Sequence, residues 1–234
     1  MRDYEVVVPA TYTASTPMAL SFVYHGAGGN EANAKSFGLQ DAPGAGSASI
    51  FVYPQGINFQ SYGVGWDDAC GGRDVAFFDS MLGYLESNYC IDKTKIFVAG
   101  FSWGCDHVTA LSCCRGDRIA AVGAASCSDE FSNSADYRTY SNLPCPVSHQ
   151  AAIRFTHDSN GDGPYSAQQF ASTSALYRSF NACTATSVPT SPSPCVSFQG
   201  CSKQMVECAY PGLGHSLPSG WGTDTWAFFS NVGH

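Results

Sequence analysis

Two short stretches carry residue types that could work together on a carbonyl, Gly100-Phe101-Ser102-Trp103-Gly104 and Gly212-Leu213-Gly214-His215. A serine hydroxyl is a poor nucleophile at neutral pH. It needs a base to take its proton, and the base needs a carboxylate to fix its tautomer and steady the imidazolium that forms. Ser102 is the candidate nucleophile, in a GxSxG pentapeptide at the end of an apolar run. His215, in a glycine-rich loop ahead of the last helical segment, is the candidate base. The acid falls within Asp158-Ser159-Asn160-Gly161-Asp162-Gly163. Asp158 comes directly off a strand end and is preferred, with Asp162 as the alternative. The same six residues match the opening of a calcium loop, but its twelfth position would be Gln169, which cannot give a bidentate carboxylate. Neither a metal nor a cofactor is expected.

Charge developing on a carbonyl oxygen must be met by donors already aimed at it. The backbone N–H of Trp103, at the start of its helix, would supply one, and that of Ala27 in His25-Gly26-Ala27-Gly28-Gly29 the other. His25 reads as a structural hydrogen-bonder, and His107, His149, His157 and His234 have no evident partner.

These residues need a scaffold that ends strands beside one another. Residues 4–8 read as an edge strand closed by Pro9, and residues 18–24 and 50–53 as buried strands. A long glycine-rich excursion follows over 54–73, of the length usually kept for function. Val75, Phe78, Leu82, Leu85 and Tyr89 recur at helical spacing, with Asp74 as the cap. The spacing then predicts a strand over 95–99, a helix over 103–114 and a strand over 119–125, with 126–148 polar and irregular. A strand over 150–155, a helix over 166–181, a Pro/Ser-rich loop over 184–200 between Cys183 and Cys201, a strand over 205–210 and a terminal helix complete the chain. Alternating strands and helices imply an α/β fold with a mostly parallel sheet and right-handed crossovers. Ser102, acid and His215 follow the α/β-hydrolase order along the chain.

The 234 residues suit one domain, 1–234, with 44% apolar and only 13% charged residues. Eleven Lys and Arg against nineteen Asp and Glu give a net charge of -8, which argues against nucleic acid as a partner. No apolar run reaches membrane-spanning length. Eleven cysteines without zinc-finger spacing point to disulfides in an oxidising compartment, the odd count leaving one thiol over. Adjacent Cys113 and Cys114 should take different partners. The start at Met1 reads as a methionine set in place of a leader.

Several motifs resemble one family. They are HGAGG after the second strand, YPQG over 53–56, Trp66 in the following loop, CIDKTKIFVAGFSWG over 90–104 and GLGHSLPSG over 212–220. Together they resemble carbohydrate esterase family 1, more narrowly its secreted type D feruloyl esterases and the related polyhydroxybutyrate-depolymerase group. The resemblance implies an α/β-hydrolase fold without a large cap domain, secretion, and hydrolysis of the ester joining ferulate to arabinose on plant xylan; a monomer is expected. It maps the nucleophile onto Ser102, the base onto His215 and the oxyanion turn onto HGAGG. Its acid follows an HGxxD pattern where this chain reads RFTHD. Trp66 and Trp103 fall where an aromatic acyl group could pack, so Trp66 is a substrate-binding candidate. Acetylxylan esterase, polyester depolymerase and a non-catalytic carbohydrate-binding module on a hydrolase scaffold are the alternatives.

Overall fold

Strands β2 (Met18–Tyr24) and β6 (Ile91–Phe101) hold the middle of the molecule, and their side chains alternate between two hydrophobic layers. Leu20, Phe22, Tyr24, Ile96 and Val98 face one layer, whereas Ala19, Val23, Phe97 and Ala99 face the other. Strands buried on both faces need cover on both. The computed structural model, which describes residues 2–59, 63–127 and 151–232, supplies that cover with helices.

The main sheet has nine strands in the order β1-β3-β2-β6-β7-β8-β11-β10-β9. Besides β2 and β6 these are β1 (Tyr4–Val7), β3 (Ser49–Pro54), β7 (Ala121–Ala125), β8 (Ala152–Asp158), β9 (Ser187–Pro189), β10 (Cys195–Phe198) and β11 (Met205–Tyr210). From β3 to β11 every neighbouring pair is parallel, while β1 and the β10–β9 hairpin add antiparallel edges. A two-stranded ribbon, β4 (Ile57–Asn58) with β5 (Val64–Gly65), stands apart within the long excursion after β3.

Helices α3 (Arg73–Asn88), α4 (Trp103–Cys114) and α5 (Ala167–Phe180) pack on the first layer through Phe78, Leu82, Val108, Leu111, Phe170 and Tyr177. The short α1 (Glu31–Lys35) and α2 (Ala45–Ala48) and the terminal α6 (Trp221–Asn231) cover the second. On that side Phe229 stacks on Phe97 with ring centroids 4.7 Å apart. Each such buried ring contributes about 2–3 kcal/mol of apolar burial.

The elements differ from sequence expectation in several places, and one expectation falls outside the described residues. Asp74 does not cap α3. Gly72 is the cap, and Asp74 is buried in the first turn, accepting from the Asp67 N–H at 2.7 Å and pairing with Arg2 at 2.5 Å. The loop expected over 184–200 contains β9 and β10, with a Cys183–Cys201 disulfide at its base as anticipated. The irregular segment expected over 126–148 lies almost wholly outside the described residues, as does His149. Cys70–Cys114, Cys105–Cys127 and Cys195–Cys208 are also bonded, so Cys114 does not pair with its neighbour Cys113, and Cys90 is a free thiol.

Candidate active site

Parallel strands bring their carboxyl ends to one edge of the sheet, and the loops leaving β6, β8 and β11 meet there. Ser102 is the hinge between β6 and α4, with φ 56° and ψ -129°. Such a conformation is costly for a residue with a Cβ, so the surroundings must impose it. They do so through a Ser102 N–H bond to the Ala125 carbonyl of β7 (3.0 Å) and bonds from the Cys105 and Asp106 N–H groups back to the Ser102 carbonyl. The flanking glycines are required by space: a Cβ on Gly100 would lie 2.2 Å from the Gly104 carbonyl oxygen, and one on Gly104 2.4 Å from that of Tyr24.

Ser102 Oγ lies 2.8 Å from His215 Nε2, and His215 Nδ1 lies 2.8 Å from Asp162 Oδ2. The imidazole is thus held between a hydroxyl and a buried carboxylate. With Nδ1–H donating to Asp162, Nε2 is left as an acceptor facing the hydroxyl, the tautomer that proton removal requires. Phe101 packs on the His215 ring at 4.9 Å.

The carboxylate at the ring is therefore the sequence alternative, and the preferred Asp158 does something else. Asp158 ends β8 opposite Tyr210 of β11, and its carboxylate accepts N–H groups of Gly214 (2.6 Å), Asn160 (2.8 Å) and Gly212 (3.3 Å). Burial works against its charge, but these amides outweigh it and hold the carboxyl below its ordinary range. Asp158 is the anchor of the loop that carries His215. The chain needs the further turn through Gly161 (φ 86°) to bring a second carboxylate round to the imidazole.

The HGAGG turn lies against Ser102, since a Cβ on Gly26 would come within 3.1 Å of Ser102 Cβ. Among the described residues no backbone carbonyl takes the N–H of Ala27 or Trp103. His25 holds this turn in place. Its Nδ1–H donates to the Gly26 carbonyl (2.7 Å), and its Nε2 accepts from the Gly56 N–H (3.0 Å). That pattern needs a neutral ring, and burial pushes the His25 pKa down accordingly. The structural role expected of His25 is thus the one it has.

Trp66, the substrate-binding candidate, lies in the core. It is 1% exposed, donates Nε1–H to the His25 carbonyl (2.8 Å) and stacks on His107. Half-buried Trp103, which follows Ser102 in the chain, packs against half-buried Phe59 with ring centroids 5.4 Å apart. The Trp103 indole donates to Asp68 Oδ2 (3.2 Å), and Asp68 Oδ1 meets His107 Nδ1 (3.2 Å). Burial pushes the Asp68 pKa up and the His107 pKa down to about 4. His157 also has partners, Glu207 Oε1 at 2.9 Å and the Asp158 carbonyl at 3.0 Å. Sequence reasoning missed Asp68, Phe59 and Tyr165, whose N–H donates to Asp162 Oδ1 (3.1 Å). No spacing rule connects them to Ser102. No cluster of metal-ligating side chains occurs among the described residues.

No protein-family model matches the chain. It is 30% identical to the "probable feruloyl esterase C" of Aspergillus niger over 97% of its own length and 83% of that protein's. Over a shorter region, 53% of this chain and 46% of the other, it is 37% identical to feruloyl esterase C of Emericella nidulans. Among solved structures, the acetyl xylan esterase from Aspergillus awamori superposes with TM-score 0.70 at 17% identity, covering 97% of this chain and 93% of that one. A ferulic acid esterase superposes with TM-score 0.63 at 18% identity, covering 99% and 90%. The architecture is the α/β-hydrolase fold.

Proposed function

Because the chain belongs to the feruloyl esterase family of carboxylic ester hydrolases, we propose that it cleaves hydroxycinnamoyl esters of plant cell-wall arabinoxylan by acyl transfer through Ser102. The observation that carries the reading is the unbroken run from Ser102 Oγ through His215 to Asp162, with both contacts at 2.8 Å. His215 Nε2 takes the Ser102 proton as Oγ attacks the ester carbonyl. The oxyanion rests on the Ala27 and Trp103 amides while Asp162 steadies the imidazolium. His215 then protonates the departing sugar alcohol. Water, deprotonated by the same imidazole, repeats the attack on the acyl-enzyme and releases the free acid.

Family membership supports an ester of the feruloyl type, and the Trp103–Phe59 ring pair, whose first member follows Ser102 in the chain, supports an aromatic acyl group. Secretion of a one-domain monomer completes the reading, supported by disulfides that would not persist in a reducing cytosol.

Steady-state hydrolysis of methyl ferulate, acetylated xylan and short-chain polyhydroxybutyrate tests the assignment. Methyl ferulate should give the highest kcat/KM, and Ser102→Ala should lower its kcat by roughly 10⁴-fold or more. Faster turnover of acetylated xylan would assign the enzyme to deacetylation instead. Absence of fluorophosphonate labelling at Ser102 would favour a binding module.

A further inference from the structure

Asp162 is buried, yet its loop leaves the sheet at Asp158 and returns only at α5, with little chain to hold it against His215. What holds it is Tyr165. The Tyr165 N–H donates to Asp162 Oδ1 (3.1 Å), and the Asp162 N–H donates to the Tyr165 carbonyl (2.9 Å), so the two residues close a small ring of bonds. The phenol of Tyr165 points the other way and donates to Asp106 Oδ2 at 2.6 Å. Asp106 stands in the first turn of α4, and its own N–H donates to the Ser102 carbonyl at 3.0 Å.

We propose that Tyr165 is a positioning residue that braces the acid loop against the nucleophile's helix, fixing Asp162 relative to His215 and Ser102 through its single bond to Asp106. The inference rests on the triad reading given above. Burial and the neighbouring Asp106 charge push the Tyr165 pKa upward, so its hydroxyl stays protonated and donating throughout the working pH range. The Tyr165 ring lies beside His215, with centroids 6.0 Å apart, while its hydroxyl is committed to Asp106 Oδ2. The hydroxyl acts through the loop that carries Asp162, to which the Tyr165 backbone is bonded.

The groups that set the charge state of His215 are Ser102 at Nε2 and Asp162 at Nδ1. Tyr165 lies beside the ring, Asp106 behind its phenol, and Asp158 binds amides of the imidazole's own loop. Of these, Asp162 has the direct carboxylate contact that favours the imidazolium. A looser Asp162 gives a less basic imidazole, which moves the acid limb of the activity profile to lower pH.

Tyr165→Phe removes one oxygen and keeps the ring. Profiles of kcat/KM against pH on methyl ferulate should show its acid limb displaced to lower pH by about half a unit or more. Its kcat should fall about tenfold with KM within twofold of the parent. Asp106→Ala, which removes the acceptor, should give the same displacement, and Asp106→Asn, which keeps an amide oxygen for the phenol, a smaller one. An acid limb unmoved in both Tyr165→Phe and Asp106→Ala overturns the proposal, whether or not the melting temperature falls. Equal displacement in Asp106→Asn and Asp106→Ala also overturns it. Ser102→Ala serves as the separate control: an active Ser102→Ala enzyme removes the triad reading itself. An inactive one beside unmoved limbs removes only the brace.

Discussion

Asp158 and Asp162 are four positions apart on one loop and carry different loads. Asp162 touches the imidazole, and Asp158 touches the amides of the loop on which the imidazole rides. Replacing each by asparagine separates the two. Asp162→Asn removes the charge that stabilises the imidazolium and offers a side chain able to select the wrong tautomer, so kcat should drop by about 10³–10⁴-fold with little change in melting temperature. Asp158→Asn keeps one acceptor oxygen but loses the charge that binds Gly212 and Gly214. It should cost about 1–3 kcal/mol of stability and a smaller share of kcat. Kinetics on methyl ferulate and urea melts of both variants provide the check. This division could not be read from sequence, because either carboxylate satisfies the order Ser, Asp, His. The deciding facts are the turn through Gly161 and the partnership of Asp158 with Tyr210 across β8 and β11.

Among the elements, those with a strong periodic signal were legible to the residue: β2, α4 and β11 occupy the spans that their apolar patterns mark. The elbow between β6 and α4 was legible for a physical reason, since few sequences allow a strand to turn into a helix through one residue without a clash. The β9–β10 hairpin was not. Proline, serine and threonine crowd that segment, and the pairing is fixed by contacts distant in sequence, with Cys195 opposite Cys208 in register and disulfide-bonded to it. The HGAGG turn, the proposed oxyanion site, joins three elements through His25, which binds Gly26 and Gly56 and takes the Trp66 indole on its carbonyl. His25→Ala should therefore leave KM nearly unchanged and lower kcat by about 10–100-fold, because the turn loses its orientation toward the developing charge. A fall in kcat/KM carried by KM alone would show that the turn does not need this support.

At the scale of the whole molecule, Asp158, Glu207 and His25 lose their stabilising contribution as pH falls, while Asp68, raised by burial, acts with the opposite sign. Asp158 and Glu207 are held below their ordinary ranges, Glu207 by His157 and Ser174 against the cost of burial. For a carboxyl lowered on folding, the contribution is complete above the unfolded pKa near 4 and is lost as pH falls through the folded value. His25, lowered by burial, acts with the same sign: the unfolded chain takes up its proton below about pH 6.5 while the folded ring resists. The melting temperature should decline gently below about pH 6.5 and steeply below about pH 4, and Asp158→Asn should flatten the steep part. Calorimetry across pH 3–8 measures both limbs.

The backbone of Ser102 gives this enzyme a residue that its fold would do better without. A φ of 56° is costly for serine, by about 1–3 kcal/mol, and natural to glycine, whose extra freedom when unfolded returns only about 0.5–1 kcal/mol. Ser102→Gly should therefore outlast Ser102→Ala in urea by about 1 kcal/mol while both are inert toward ester. The difference between those two silent proteins, corrected for the glycine's extra unfolded freedom, measures the free energy stored in the native chain to keep one hydroxyl exposed.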